Sequence, residues 1–262
     1  MRQARPLDAY QAYLFDVDGT LLYPDRVVPG AAETLAVLKA HGKAVLAVTN
    51  NSSLTRHDLG ERFRAAGLPI EDDEVFSALA ASAEYIARHQ PGARVHVFGN
   101  PGLLAEVERL GLTTTDQEDA DCVVVGNHHA VSYAGLTRAM RALLRGARFV
   151  AVNADRTYIG PDGGLVPGAG VFVAALERGA GRPPDVIVGK PSPTILCQAA
   201  ASVGLPAAEC LYIGDNPEAD VVGAHTAGMD ALLVLTGVTS SHAHGLPEHL
   251  LPSVAELARV FQ

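Results

Sequence analysis

The sequence predicts an α/β fold with a doubly wound parallel sheet and a second, smaller α/β unit inserted into it. Short runs of Val, Ile and Leu alternate with longer segments of helical periodicity, which is the pattern of a parallel sheet covered by helices on both faces. The 262 residues contain more strand–helix units than one compact sheet accommodates. Breaks rich in Gly and Pro occur at 90–92 and 179–184. We therefore predict a discontinuous core of residues 1–90 and 185–262, with residues 91–184 as the insertion.

The individual elements follow from hydrophobic periodicity and from the breaks between them. The first part of the core is predicted to contain strands at 13–15, 43–48 and 75–76 and helices at 29–41, 56–66 and 78–89. The insertion is predicted to contain strands at 94–98, 122–125 and 148–152 and helices at 102–110, 133–144 and 171–178. The last part of the core is predicted to contain strands at 186–188, 210–213 and 231–235 and helices at 193–203, 219–227 and 253–261. Ligands of an open parallel sheet bind beyond the carboxyl ends of its strands, so the residues after each strand are the candidates for function.

Composition excludes several classes of protein. The net charge of −9 argues against binding to nucleic acid, which requires a basic surface, and weakly against an anionic ligand. The longest apolar runs, 171–176 and 231–235, are far shorter than the roughly 20 residues of a membrane span. The N-terminal residues show no apolar segment typical of a secretory signal. Three widely spaced cysteines suggest neither a disulfide framework nor a zinc site, so we expect a cytoplasmic protein with free thiols.

The first strand of the predicted core ends in Asp16-Val17-Asp18-Gly19-Thr20. A solvated turn is one interpretation, because Asp and Gly are common in turns. Two carboxylates on the same side of an extended segment repel each other, however, and contribute poorly to stability. The pair suits a hard cation, because Mg²⁺ prefers oxygen ligands from one or two carboxylates and a substrate phosphate.

The second strand ends in the polar run Thr49-Asn50-Asn51-Ser52-Ser53. A helix N-cap needs only one such residue, whereas five in a row resemble a cradle for an anion at a positive helix end. Lys190 directly follows the predicted strand at 186–188, fixed between a glycine and a proline. Asp215 and Asp220 follow the strand at 210–213, where an acidic first helical turn is an alternative explanation.

Taken together, the four segments would meet at one edge of the core sheet. They supply two acidic pairs, a cluster of neutral donors and one lysine. This is the set of groups that phosphoryl transfer requires: carboxylates for Mg²⁺, donors and lysine for the phosphate oxygens, and a carboxylate that attacks phosphorus.

The four segments, in this order, resemble the signature motifs of the haloacid dehalogenase (HAD) superfamily of phosphatases. The insertion resembles the α/β cap, of the C2 type, found in the NagD-like subgroup, which includes p-nitrophenyl phosphatases and phosphoglycolate phosphatases. Within the insertion, the resemblance rests on residues 122–126, 133–136 and 167–170. It implies a Rossmann-like core, a Mg²⁺-dependent phosphatase and a small phosphorylated metabolite as substrate. Cap-mediated dimers occur among these relatives, so a homodimer formed through the cap is compatible with the resemblance, which leaves the oligomeric state open.

The resemblance assigns a role to each matching residue. Asp16 is the nucleophile, and Asp18 is the general acid and then the general base, with a raised pKa that its anionic surroundings would produce. The metal ligands are Asp16, the backbone carbonyl of Asp18, and Asp215. The phosphate-binding residues are Thr49, Asn50, Asn51 and Lys190. Residues that support these groups are Asp220, Asn216 and Thr20.

Substrate selection is expected from the cap, because the core motifs recognise only phosphate. The loop at 153–164 follows a predicted strand and mixes charges, an aromatic residue and glycines. Although it is also compatible with a plain surface loop, we expect Asp155, Arg156 and Tyr158 to face the substrate. Relatives commonly have an Asp where this chain has His128. His128 and His129 are disfavoured as a metal pair, because adjacent residues of a strand point to opposite faces.

Two other functions are compatible with the same resemblance. A phosphomutase or dehalogenase of the superfamily is disfavoured, because mutases usually carry a helical cap and dehalogenases do not need Asp18. A non-catalytic protein that binds a phosphorylated metabolite would be expected to lack Asp16 or Lys190, and both are present.

Overall fold

The computed structural model describes residues 5–160, 163–238 and 247–261. The strands are, in chain order, β1 (Ala12–Phe15), β2 (Ala44–Thr49), β3 (Val75–Ser77), β4 (Arg94–Phe98), β5 (Thr113–Thr114), β6 (Cys122–Val125), β7 (Arg148–Ala151), β8 (Thr157–Ile159), β9 (Leu165–Pro167), β10 (Val186–Ile187), β11 (Cys210–Gly214), β12 (Asp230–Val234) and β13 (His249–Leu251). The helices are α1 (Ala31–Ala40), α2 (Arg56–Ala65), α3 (Ala78–His89), α4 (Pro101–Arg109), α5 (Tyr133–Leu144), α6 (Ala169–Ala180), α7 (Thr194–Ser202), α8 (Val222–Ala227) and α9 (Ala255–Ala258). The alternation of strands and helices agrees with the prediction.

The chain forms two compact units. The first comprises the described residues up to Thr49, the segment Arg56–Phe76 and the described residues from Lys190 onward. The second comprises Asn50–Thr55 and Ser77–Gly189. The second unit is thus wider than the predicted insertion. It includes α3, where Tyr85 accepts a hydrogen bond from the guanidinium of Arg148 at 2.7 Å.

The first unit is built on a six-stranded sheet in the order β13-β12-β11-β1-β2-β3. The pairings of β1 with β2 and β11, and of β12 with β11 and β13, are parallel. Every residue of β1 is buried, as expected for an apolar central strand covered on both faces. The register places Phe15 beside both Ile213 and Ala47. The residues that follow these three strands therefore emerge at the same edge, and the sheet confirms the predicted fold class.

The second unit contains a parallel sheet in the order β10-β7-β6-β4-β5 and an antiparallel hairpin of β8 and β9. One hydrophobic cluster of this unit lies between the sheet and the helices α5 and α6. Phe98, Val125 and Phe149 of the sheet pack with Leu143 of α5 and Leu176 of α6. Buried side chains from both elements give this unit a hydrophobic core of its own.

One strand assignment from the sequence is wrong. Residues 186–188 were expected in the core sheet, but β10 pairs in parallel with β7, with Val186 beside Val150. A two-residue apolar strand fits the edge of either sheet, and only the tertiary structure decides between them. The sequence also missed the short strands β5, β8, β9 and β13. In addition, the predicted helix at 219–227 is divided into a π-helical turn, Pro217–Val221, and α8.

The three cysteines, Cys122, Cys197 and Cys210, are all free thiols, as predicted. Among the described residues, no helix combines the length and the apolar character that crossing a membrane requires.

Candidate active site

The carboxyl edge of the first unit's sheet holds a buried ion-pair network centred on Lys190. The Lys190 ammonium donates to Oδ1 of Asp16 at 2.6 Å and to Oδ1 of Asp220 at 2.7 Å. It also donates to the hydroxyl of Tyr212 at 2.7 Å. Lys190 is only 3 % exposed, so these three acceptors replace the water that a lysine normally binds. Residues from three separate predicted motifs therefore meet at one ammonium group.

Asp215 lies in the same cluster and is fixed by the backbone. Its Oδ2 accepts the N–H of Val238 at 2.6 Å. Gly19 of the first motif approaches it so closely that a Cβ there would lie 2.8 Å from this oxygen. Gly19 also has a φ of +87°, a conformation that other residues rarely adopt. Glycine is thus required here both for its backbone conformation and for its lack of a side chain.

The carboxylates of Asp16, Asp215 and Asp220 form a group that fits a metal ion. All three are buried, and one oxygen from each lies within 4.8 Å of the others. Burial raises the pKa of Asp16 and of Asp215. Lys190 opposes this effect on Asp16, but one ammonium leaves two of the three negative charges uncompensated. A dication with oxygen ligands would relieve this repulsion, so the donor set suits such an ion.

Asp220 binds protein groups through both of its oxygens. Oδ1 accepts from Lys190, and Oδ2 accepts the backbone N–H of Asn216 at 3.0 Å. Burial by itself lowers the pKa of Lys190, but the carboxylates of Asp16 and Asp220 outweigh it and raise that pKa. Lys190 is therefore held in its charged form. Asn216 also accepts the N–H groups of the π-helical turn that carries Asp220.

Asp18 is the most accessible of the four predicted acids. Its side chain is 62 % exposed and lies 3.7 Å from the guanidinium of Arg62 on α2. The protein around its carboxyl group nevertheless raises the pKa of Asp18, mainly through loss of solvation. The predicted direction is confirmed, but the cause differs from the anionic surroundings that the sequence suggested. The neighbouring charges of Arg62 and Lys190 lower this pKa.

Two residues of this network were not found from the sequence, Tyr212 and Arg62. Tyr212 lies in the completely buried strand β11, and its hydroxyl is 3.3 Å from Oδ1 of Asp220. A buried tyrosine requires a partner for its hydroxyl. A single Tyr in an apolar strand therefore indicated that a polar group lies near β11. Arg62 gave no such signal. Thr20 is completely buried, and its hydroxyl has no hydrogen-bond partner in the described part of the chain.

The polar run after β2 begins in one unit and continues in the other. Thr49 is buried at the end of β2. In the second unit, the Asn50 side-chain amide donates to both carboxylate oxygens of Asp155 at 3.2 Å. Oδ1 of Asn51 accepts the N–H groups of Ser53 and Leu54 at 2.9 and 2.8 Å, which forms an Asx turn within the loop.

The predicted specificity residues lie on and before the β8–β9 hairpin. Asp155 binds Asn50, as described above, and Arg156 is exposed. The Tyr158 hydroxyl lies 2.9 Å from Nε2 of His129. Pro161 and Asp162 of the predicted loop lie outside the described residues. His128 packs edge-on against Phe98, at a centroid distance of 4.9 Å.

Comparison with known proteins agrees with this geometry. A family model described as haloacid dehalogenase-like hydrolase matches residues 13–113, and a second HAD-hydrolase-like model matches residues 187–257. The chain is 35 % identical to the 5'-nucleotidase YutF of Bacillus subtilis over 254 residues, covering 95 % of this chain and 98 % of the relative. These matches include all four motif segments.

The chain belongs to the haloacid dehalogenase-like hydrolases. Among solved structures, the p-nitrophenyl phosphatase from Archaeoglobus fulgidus is 35 % identical, with a TM-score of 0.90 and coverage of 95 % of this chain and 98 % of that one. NagD from E. coli K-12 is 33 % identical, with a TM-score of 0.87 and the same coverage. The chain is thus a NagD-like HAD phosphatase, as the resemblance of its motifs predicted.

Proposed function

We propose that this HAD phosphatase is a Mg²⁺-dependent phosphomonoester hydrolase that acts on a small phosphorylated metabolite through an aspartyl-phosphate on Asp16. The observation that carries this proposal is the pairing of Lys190 with Asp16 and Asp220 inside a buried carboxylate cluster. An arrangement that served stability alone would not need three buried acids around one lysine, because buried charges are costly unless each is compensated.

Asp16 attacks phosphorus through its carboxylate. Its Oδ1 accepts the hydrogen bond of Lys190, so we assign the attack to Oδ2. The P–O bond to the leaving group breaks as the Asp16–phosphorus bond forms. Lys190 then stabilises negative charge on the transferred group, as a fixed cation does without reorganisation.

Asp18 handles the protons of both steps. It donates a proton to the leaving oxygen and then accepts one from the water that attacks the aspartyl-phosphate. Its raised pKa favours the protonated form needed for the first step. Its exposure gives it access to leaving group and water, and Arg62 fixes the carboxylate from one side.

Phosphate oxygens are assigned to donors that follow β2 and to Lys190. Thr49 ends the strand, and Asn50 and Asn51 follow it directly along the chain. The assignment of these three residues rests on the family resemblance.

Asp16, Asp215 and the backbone carbonyl of Asp18 would hold Mg²⁺. When bound, the ion supplies positive charge that reduces the repulsion between the nucleophile and the phosphate. Asp220 remains with Lys190, because both of its oxygens already accept hydrogen bonds.

Substrate selection is assigned to the insertion of residues 91–184, with Asp155, Arg156 and Tyr158 as the residues that face the leaving group. Relatives are named for nucleotides and for p-nitrophenyl phosphate, so the family alone does not identify the metabolite. A screen over sugar phosphates, nucleotides, phosphoglycolate, glycerol phosphate and pyridoxal phosphate tests the assignment. A preference that disappears in Tyr158→Ala supports it, and a flat activity profile argues against it.

The reaction is tested with p-nitrophenyl phosphate in the presence of Mg²⁺. We expect phosphate release by the wild type and none by Asp16→Asn, which keeps the shape of the side chain but is a poor nucleophile. Asp25→Asn is the matched control, because Asp25 is an exposed acid that pairs with its neighbour Arg26. Turnover of Asp16→Asn at the wild-type rate would disprove the mechanism, and saturable phosphate binding without turnover by the wild type would indicate a binding protein.

A further inference from the structure

Three asparagines occupy equivalent positions in the second unit. Asn100, Asn127 and Asn153 each stand two residues beyond the end of a strand: β4, β6 and β7, respectively. These strands are neighbours in the parallel sheet, in the order β7-β6-β4. All three side chains are buried, at 6, 4 and 2 % exposure. The sheet thus presents a row of three buried amides at one edge.

Each of these amides donates a hydrogen bond to the loop that follows β2. Nδ2 of Asn100 binds the carbonyl of Ser52 at 2.6 Å, and Nδ2 of Asn153 binds the carbonyl of Asn50 at 2.7 Å. Nδ2 of Asn127 lies 3.3 Å from the hydroxyl of Ser53. We call these three residues the asparagine clamp.

Together with one backbone bond, the clamp occupies three successive carbonyls of the loop. The carbonyl of Asn51, between the two that the clamp binds, accepts the N–H of Leu79 at 3.3 Å. A trans peptide group is planar, and its N–H points opposite to its C=O. Fixing the carbonyl of Asn50 therefore turns the N–H of Asn51 away from Asn153, and fixing the carbonyl of Asn51 turns the N–H of Ser52 away from Leu79. Successive backbone N–H groups in such a turn are suited to bind an anion.

The amides of the two outer clamp residues are oriented from both ends. Oδ1 of Asn100 accepts the N–H of Leu103 at 3.0 Å and caps α4. Oδ1 of Asn153 accepts the N–H of Asp155 at 3.1 Å. Because these oxygens face backbone donors, the nitrogens must face the loop. Oδ1 of Asn127 is buried without a partner in the described ranges, so this residue is held less firmly.

Two glycines, Gly102 and Gly189, allow their backbone segments to lie close to the loop of residues 50–53. A Cβ on Gly102 would lie 3.0 Å from the Ser53 carbonyl oxygen, and one on Gly189 would lie 2.7 Å from Oδ1 of Asn50. Contacts this short would force the loop or its neighbours to move. Gly189 immediately precedes Lys190, so one of these two glycines is the chain neighbour of a proposed phosphate-binding residue.

From these contacts we infer that Asn100 and Asn153, assisted by Asn127, are positioning residues for phosphate. They act through the loop of residues 50–53 and do not touch the substrate themselves. Asn153 orients the peptide that carries the N–H of Asn51, whereas Asn100 and Asn127 hold the Ser52–Ser53 end of the loop in place. The inference rests on the proposed function, because it assumes that this loop binds the phosphate.

The test uses Asn100→Ser and Asn153→Ser in the full-length protein. Serine keeps a side-chain oxygen for the local N–H but removes the amide donor. Ser132→Ala is the matched control: Ser132 caps α5 in the same unit, through Gly135, away from the loop. Three quantities are measured: hydrogen–deuterium exchange of the peptide that contains residues 50–55, binding of inorganic phosphate by calorimetry in Mg²⁺, and steady-state kinetics with p-nitrophenyl phosphate.

Both variants are expected to exchange the loop amides roughly fivefold faster and to bind phosphate roughly fivefold more weakly, the effect of losing one hydrogen bond. KM is expected to rise by a similar factor, while the Mg²⁺ concentration for half-maximal activity stays unchanged. Ser132→Ala is expected to change none of these, even if its melting temperature falls.

The outcomes separate this inference from the proposed function. If the wild type is active and both variants keep its exchange rate and its phosphate affinity, the inference is overturned and the proposed function stands. Faster exchange with unchanged phosphate affinity would also overturn it, because the loop would then be held for stability only. If the wild type neither hydrolyses nor binds phosphate in Mg²⁺, the proposed function falls and the inference falls with it.

Discussion

The Lys190 ammonium lies 2.7 Å from Oδ1 of Asp220, and both side chains are buried. The other oxygen of Asp220 is held by the N–H of Asn216. The carboxylate is thus fixed at both ends, and it fixes in turn the ammonium that pairs with Asp16. Asp220 therefore controls the position of Lys190 without contacting the proposed nucleophile through a hydrogen bond of its own.

Replacing Asp220 with Asn is expected to reduce turnover by about 10²-fold, a loss typical of removing one fixed electrostatic group. The free energy of unfolding should fall by about 3 kcal/mol, because a buried ammonium loses one charged partner. Steady-state kinetics and urea denaturation measure the two effects. Glu218→Gln is the matched control, since Glu218 is exposed in the same π-helical turn. Equal activity of the two variants would contradict the assigned role.

Tyr212→Phe removes a buried hydroxyl that accepts from Lys190. We expect the free energy of unfolding to fall by about 1–3 kcal/mol, because a buried donor loses a partner, and we expect turnover to fall as well. Tyr13→Phe serves as the control: Tyr13 is a buried tyrosine in the same sheet whose hydroxyl binds the carbonyl of Leu7. It should lose comparable stability but keep full activity. If both variants keep full activity, Tyr212 does not support catalysis.

Removal of the divalent cation is expected to abolish phosphatase activity, and added Mg²⁺ should restore it. Mg²⁺ should also raise the melting temperature, because a ligand that binds only the folded state stabilises it by about 2.7 kcal/mol at 100 times its dissociation constant. Asp215→Asn should lose this stabilisation, and Asp25→Asn should keep it. A melting temperature that is insensitive to Mg²⁺ would rule out a site in the carboxylate cluster.

Stability is expected to depend on pH through His96. This residue is buried in β4, and burial lowers the pKa of its imidazole below 6.5. Between the folded and the unfolded pKa the unfolded chain binds more protons, so stability rises with pH there. The stabilisation is complete above pH 6.5 and is lost as the pH falls through the lower, folded value.

His96→Gln tests this dependence. We expect the variant to lose less stability than the wild type between about pH 7.5 and about pH 5, measured by urea denaturation. Gln retains a polar group that can reach the carbonyl of Thr115, which His96 contacts at 3.1 Å. An identical loss in both proteins would show that His96 does not cause the dependence.

The central acids and lysine were predictable because each follows a short apolar strand. Parallel strands end at a common edge, so Asp16 and Asp215 had to emerge together once β1 and β11 paired. Lys190 was identified by a different and partly wrong route. The strand before it belongs to the second unit's sheet, but Lys190 itself belongs to the first unit, where it pairs with Asp16. Lys190 therefore lies beside the predicted acids although the strand before it was assigned to the wrong sheet.

Other parts of the site had no usable local signal. Arg62 lies on an ordinary polar helix, and its pairing with Asp18 depends on how that helix packs. The asparagine clamp was equally hidden. The chain has six asparagines, but nothing in the sequence near Asn100 or Asn153 indicates that they bind a loop about 50 and 100 residues away.

The sequence by itself determined the alternation of strands and helices, the reactive groups and their order, because these depend on residues that are close along the chain. The tertiary structure alone decided which groups meet, since those contacts join distant segments: Lys190 and Asp16 are 174 residues apart. Such pairs form only after the sheet has fixed the order and register of its strands. The tertiary structure also decided which carboxylates bear uncompensated charge. The energetic cost of a charge depends on how deeply it is buried, and burial cannot be read from the sequence.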